Sequence, residues 1–236
     1  MSQAQQQLRP AHAPAPRTLP SRADHVGSFL RPSELVAARE AYAAGTIDAA
    51  ALREAEDAAI RGIVAWQEGL GLKAIADGEF RRTFFHTDFL LQLDGVSQEG
   101  GMEVAFHNAA GKDVHFAPPR IVVEGKVRHG KPIQKADFEF LAGVTGETPK
   151  VTIPSPTMLH FRAGREGIPA DVYPDLAEFF DDVAIAFRDE VASLADAGCR
   201  YLQLDDTNLA YLCDETHREN ARRRGIDPDE TPRAYA

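Results

Sequence analysis

Apolar residues recur every three or four positions in two long windows of the chain. From Asp48 to about Gly69, Leu52, Ala55, Ala59, Ile63 and Trp66 fall at that spacing. It predicts a helix with one buried face. Asp48, whose carboxylate can accept from the free N–H groups of a first turn, marks its start. Over 174–197 a second stripe is formed by Leu176, Phe179, Phe180, Val183, Phe187, Val191 and Leu194, and Gly198 supplies the stop. A shorter helix is predicted from Pro32-Ser33-Glu34-Leu35 to Gly45. Residues 208–224 read as helical, and another helix starts at Thr231.

Between these windows lie short runs that end in polar residues. Arg22-Ala23-Asp24-His25-Val26-Gly27-Ser28-Phe29 reads as extended and closes in a Gly-Ser turn. Leu72-Lys73-Ala74-Ile75-Ala76-Asp77-Gly78-Glu79-Phe80, Lys150-Val151-Thr152-Ile153-Pro154-Ser155-Pro156 and Tyr201-Leu202-Gln203-Leu204-Asp205-Asp206 read as buried strands. Proline has no N–H for a ladder, so Pro154 and Pro156 are expected past the strand's end. Segment 84–93 is aromatic-rich and reads as a helix or wide loop. Residues 100–147 alternate between Gly and Pro punctuation and read as a β-hairpin excursion.

Strands alternating with helices predict an α/β fold with a parallel sheet. An open doubly wound sheet and a TIM (β/α)₈ barrel both fit. No Gly-x-Gly-x-x-Gly or P-loop follows a strand, which weakens the nucleotide-binding open sheet. Four strands make roughly the first half of a barrel and leave two sheet edges to be paired. The expected organisation is a leader over 1–20, then the front part of one barrel over 21–236.

Composition narrows the partners. The chain has 236 residues and a formal net charge of -10, so attraction to a phosphate backbone is not expected. No run approaches the ~20 apolar residues that cross a bilayer. The first twenty residues are rich in Gln, Ala and Pro and lack an apolar signal core, which reads as a disordered leader. Cys199 and Cys213 show no metal-type spacing and read as reduced thiols of a cytoplasmic protein.

Candidate chemistry gathers at the strand ends, where parallel α/β proteins place their sites. Ser28 and the amides of Val26 and Gly27 either form a plain turn or hold a substrate carboxylate. Glu79 follows a buried run, where an unneeded charge is unusual, and suits an ammonium group. Arg81 and Arg82 either pair with it, meet substrate anions or lie exposed. Asp205 and Asp206 end a strand, and burying both requires a cation or a pairing; Asp206 is alternatively a helix cap. His86, Ser155 and His160 are further mouth or donor-site candidates.

Four stretches carry a resemblance: His25-Val26-Gly27-Ser28-Phe29-Leu30-Arg31-Pro32, Asp77-Gly78-Glu79-Phe80-Arg81-Arg82, Ile153-Pro154-Ser155-Pro156 and Tyr201-Leu202-Gln203-Leu204-Asp205-Asp206. In this order the chain resembles the cobalamin-independent methionine synthase family, in particular short bacterial members that match its catalytic C-terminal barrel. The resemblance implies a TIM barrel that moves a methyl group from a folate donor to the thiol of homocysteine held on zinc. It implies that Val26 to Ser28 and Glu79 contact the carboxylate and amino group of homocysteine, that Asp205 also holds the amino group, and that the Ser155–His160 region lies near the donor. The family's zinc ligands follow the strand matching Tyr201–Asp206, so they are expected beyond residue 236, with this chain the front part of a longer protein. Two other readings stay open. One is an alkyl transferase or lyase acting on another thiol such as coenzyme M. The other is a non-catalytic half-barrel that self-associates or binds a complementing half.

Overall fold

A computed structural model describes residues 23–100, 104–107, 113–116, 119–223 and 225–235. The expected leader, 1–20, lies outside the described residues.

Two helices open the fold, α1 (Ser33–Ala43) and α2 (Ala49–Gly69). Gly45 leaves α1 at φ +71°, a conformation without steric cost for glycine. The Asp48 carboxylate accepts from the Ala51 N–H at 2.8 Å and caps α2. The buried face of α2 is rotated from the expected stripe. Glu56, Ile60, Val64 and Gln67 are buried, while Trp66 is 52% exposed. The reason is that both polar residues find partners. Glu56 meets Arg39 and Arg81, and the Gln67 amide exchanges two hydrogen bonds, 2.8 and 3.1 Å, with the backbone of Ala76. Ala55, Ala59 and Ile63 line a cleft of about 440 Å³ against Leu30, Leu35 and Phe80.

Strands β1 (Ala74–Ile75), β6 (Thr148–Pro149), β7 (Val151–Pro154) and β8 (Leu202–Asp205) form two parallel pairs, β1 with β6 and β7 with β8. Lys150, between β6 and β7, donates its N–H to Ile75 at 2.8 Å, and Val151 donates to Tyr201 at 3.0 Å. One continuous run thus serves both neighbours. Pro154 does not lie past the strand's end: it is the last residue of β7, in register with Asp205, and the next ladder bond comes from the Ser155 N–H at 3.1 Å. The described residues form an α/β fold and do not close a barrel.

Two expected strands differ. The segment at 22–29 forms no strand over its described residues: Gly27 sits at φ +85°, and the backbone tie to the β1 turn is Phe29 N–H to Gly78 O at 3.2 Å. β8 is only half-buried, with Leu204 48% exposed, because its one described partner is β7.

The excursion also shifts. Its antiparallel pairs are β2 (Asp94–Glu99) with β5 (Arg120–Arg128), and β3 (Val104–His107) with β4 (Asp113–Phe116). Residues beyond Arg128 fold instead into helix α4 (Lys135–Val144), which buries Phe138 and Leu141 one turn apart. Segment 84–93 contains the short helix α3 (Thr87–Leu90). Then come α5 (Thr157–Ala163), a 3₁₀ turn at Arg165–Gly167, and α6 (Leu176–Asp196), capped by Asp175. The helix expected over 208–224 is split into α7 (Asn208–Tyr211) and α8 (Glu215–Arg223); α9 is Thr231–Tyr235. Asp214 interrupts it by accepting from the His217 N–H at 3.0 Å.

The larger core packs β5, β7, α5 and α6 around Ile121, Ile153, Met158, Tyr173 and Phe179; the smaller joins Leu35, Ile60, Ile75, Phe80 and Leu141. Between them they fix the loops that follow β1 and β7. No helix of the described residues is long and apolar enough to cross a membrane.

Candidate functional site

After β1 the chain turns through Asp77-Gly78-Glu79. Gly78 has φ +72°, and Glu79 follows at φ +57°, a conformation that costs a side-chain-bearing residue about 1–2 kcal/mol. Several bonds hold it there. Asp77 accepts from the Glu79 N–H at 2.8 Å, and the Glu79 carbonyl accepts from Arg82 N–H at 3.1 Å and Arg31 Nη2 at 3.1 Å. The turn drives the Glu79 side chain inward, where it is 4% exposed. Oε2 accepts from the Ser28 hydroxyl at 2.6 Å, and Oε1 lies 3.9 Å from Arg82 Nη1.

Adjacent arginines point to different places. Arg82 is buried; its Nη2 donates to Gln134 Oε1 at 3.2 Å and to the Thr152 carbonyl of β7. Arg81 turns toward the helices. It pairs with Glu56, Asp57 and Asp137 at 3.3, 2.6 and 3.2 Å and lies over the Phe140 ring, tying α2 to α4. Of the two, Arg82 alone meets Glu79.

The segment before Ser28 is anchored at its other end. Lys150 Nζ donates to Asp24 at 2.8 Å and to the His25 carbonyl at 2.6 Å, and the Tyr201 hydroxyl donates to the same Asp24 oxygen at 2.5 Å. Although burial opposes it, these donors hold the Asp24 carboxyl below its usual range. The His25 ring stacks on Phe29 at 3.5 Å and bonds the Gly27 carbonyl at 2.7 Å. Val26 is 66% exposed.

A second group forms at the ends of β7 and β8. Ser155 is buried, its hydroxyl 2.8 Å from that of Thr157, and Asn208 Nδ2 donates to both at 3.2 and 2.8 Å. Asp205 is half-buried and accepts from Gln203 Nε2. Asp206 is exposed and no side chain caps α7, so the expected burial of two adjacent acids is absent, as is the alternative cap. His86 is buried, its Nδ1 without a hydrogen bond, and burial beside the Arg162 cation pushes its pKa down to about 3. Next to it, Asp88 closes the preceding turn by accepting from Thr83 and Phe84 N–H at 3.0 and 2.8 Å. His160 packs against Phe179 and Phe180 of α6 and bonds the Tyr235 hydroxyl at 2.8 Å, among the helices.

Of the candidates, Ser28, Glu79 and Arg82 form one hydrogen-bonded or ion-paired group, and the backbone joins Ser155 to Asp205. Gln134, Thr152 and Asn208 complete these groups; Asn208 closes the strand-end cluster Asp205–Asn208 that the sequence marks, whereas Gln134 and Thr152 are not marked by it. A neutral amide in a loop and a carbonyl carry no pattern of their own.

A zinc ion does not fit the described residues. No group of three His, Cys, Asp or Glu comes together. Cys199 is buried, which raises its thiol pKa, and donates to the Tyr201 carbonyl; Cys213 is exposed and donates to the Leu209 carbonyl.

Residues 22–223 match the family described as the cobalamin-independent synthase catalytic domain. The chain belongs to that family. Its relatives in the family include the uncharacterized protein YxjH of Bacillus subtilis, 42% identical over 93% of this chain and 57% of that protein. A 5-methyltetrahydropteroyltriglutamate–homocysteine methyltransferase of Mesorhizobium japonicum is 29% identical over 78% of this chain and 22% of its own length. Among solved structures, a candidate vitamin-B12-independent methionine synthase from Listeria monocytogenes superimposes with a TM-score of 0.68 at 37% identity, covering 91% of this chain and 62% of that one. The chain thus spans less than two thirds of the length of YxjH and of the Listeria chain. A B12-independent methionine synthase from Shewanella, 21% identical over 74% of this chain and 48% of that one, shares the fold with a TM-score of 0.55.

Proposed function

We propose that this chain supplies the amino-acid-binding side of a methyltransferase that converts homocysteine to methionine, taking the methyl group from a 5-methyltetrahydrofolate-type donor. The observation that carries the reading is the Glu79 carboxylate, buried behind a strained turn and bonded at 2.6 Å to a neutral hydroxyl, Ser28. Its nearest cation, Arg82 Nη1, stands 3.9 Å away, outside hydrogen-bonding range. A carboxylate so arranged suits an incoming ammonium group. In this reading Glu79 and Asp205 hold the substrate's ammonium and the Val26–Ser28 segment meets its carboxylate. Ser155, Asn208 and His86 lie on the donor side. Family membership supports the chemistry, in which a nitrogen–methyl bond breaks, a sulfur–methyl bond forms, and overall the thiol's proton is replaced by the methyl group while the departing folate nitrogen takes up a proton.

The parallel pairs β1–β6 and β7–β8 support reading residues 21–236 as the front part of a (β/α)₈ barrel. Zinc, which the family implies, has no fitting ligand set among the described residues.

Calorimetric titration with two thiols tests the reading. L-Homocysteine should bind and coenzyme M, which has a sulfonate and no amine, should not. Binding of coenzyme M in preference would overturn the assignment of Glu79 and favour the other thiol chemistry.

A further inference from the structure

We propose that Gln134 and Glu190 are positioning residues for the amino-acid site, holding Arg82 in the orientation that keeps Glu79 open to a ligand's ammonium. The inference rests on the reading of Ser28, Glu79 and Arg82 as that site. Arginine and carboxylate side chains in contact ordinarily close into a bidentate pair with N···O separations of about 2.7–2.9 Å. Here they do not. Arg82 Nη1 stays 3.9 Å from Glu79 Oε1, buried and without a hydrogen bond. The guanidinium is drawn away by its other nitrogen, which donates to Gln134 Oε1 at 3.2 Å and to the Thr152 carbonyl. A cation at this distance attracts the carboxylate without occupying it.

Gln134 is itself fixed from behind. Glu190 of α6 is 0% exposed, and its carboxylate accepts from the Gln134 N–H at 2.7 Å, the Ile133 N–H at 2.9 Å and His129 Nε2 at 2.6 Å. A buried carboxylate with three donors is a rigid post, because losing any donor leaves charge uncompensated in a medium of low polarity. The outer helix α6 therefore reaches the site through one loop, one amide and one guanidinium.

Gln134→Met removes the acceptor for Arg82 while keeping the backbone bond to Glu190. Arg82 is then free to close on Glu79. Titration calorimetry with L-methionine and with methylthiobutyrate, the same skeleton without the amine, reads the outcome. L-Methionine should bind about tenfold more weakly, the worth of one hydrogen bond to a charged group, with methylthiobutyrate unchanged. Gln134→Glu, which keeps the acceptor, should restore the preference. Should Gln134→Met fail to fold, as judged by its melting transition, Glu190→Gln gives the same comparison. Equal weakening of both ligands would mean a merely structural role and overturn the proposal, as would unchanged methionine binding. If the unmutated chain binds no methionine, the reading of the site itself has failed and the positioning role falls with it.

Discussion

The two strand-end groups share a fold but not a state of completion. Around the turn after β1 the inward-facing charged side chains are held in place: Glu79 by the Ser28 hydroxyl, with Arg82 3.9 Å away, and Arg81 by three carboxylates. At the end of β8, Asp206 and Leu204 are exposed, and among the described residues the Asp205 carboxylate accepts from Gln203, two residues away on its own strand. The difference follows from packing. β1 is covered by α2 and paired with β6, on which α4 packs, whereas β8 has one described neighbour. A carboxylate gains a fixed geometry only when surrounding elements restrict it. Glu79 therefore carries the functional argument and Asp205 only follows it.

The comparison is broken most forcefully in the core. Phe179→Ala, which empties a fully buried ring position, should cost about 3–5 kcal/mol in chemical denaturation, whereas Leu204→Ala should cost well under about 1 kcal/mol. Similar losses would show that β8 is as well covered as α6. Next in size, Arg82→Met leaves Glu79 buried without its cation and should destabilise the chain by about 3 kcal/mol, while Asp206→Asn should stay within about 0.5 kcal/mol.

An acid titration sharpens the contrast further. His86 has its pKa lowered to about 3 in the folded chain from an ordinary 6.5, so the unfolded chain binds the extra proton between those values. Stability should therefore be full near neutral pH and fall as the pH drops from about 6.5 toward 3, by on the order of 2–4 kcal/mol. His86→Leu should flatten that limb in urea melts taken across the range; an unchanged slope would show that the imidazole is not buried neutral. A smaller loss than these is expected for Gly78→Ala. Its φ of +72° and a Cβ 3.0 Å from the Phe80 ring should cost about 1–2 kcal/mol, with a loss of methionine affinity out of proportion to the shift in melting temperature.

Much of this was legible in the sequence where periodicity and punctuation agree. Asp48, the stripe of α6 and Gly198 marked helices that the structure contains, and acidic residues after apolar runs marked both strand ends. The buried face of α2 departs from the apolar stripe because Glu56 and Gln67 look like surface residues until Arg81 and the Ala76 backbone are brought to them. Helix α4 lies within the stretch whose alternation predicts strands, although Phe138 and Leu141 carry a helical spacing. Glu79 stood out because a charge follows a buried run. Gln134 did not, since only the fold carries a loop amide to a guanidinium 52 residues away in sequence.

The most direct test is a crystal structure of the chain with L-methionine bound. The account predicts the ligand's ammonium within hydrogen-bonding distance of the Glu79 carboxylate, with the Ser28 hydroxyl released or shared, and no such density in Glu79→Gln. Methionine bound elsewhere, with the Ser28–Glu79 bond intact, would contradict it.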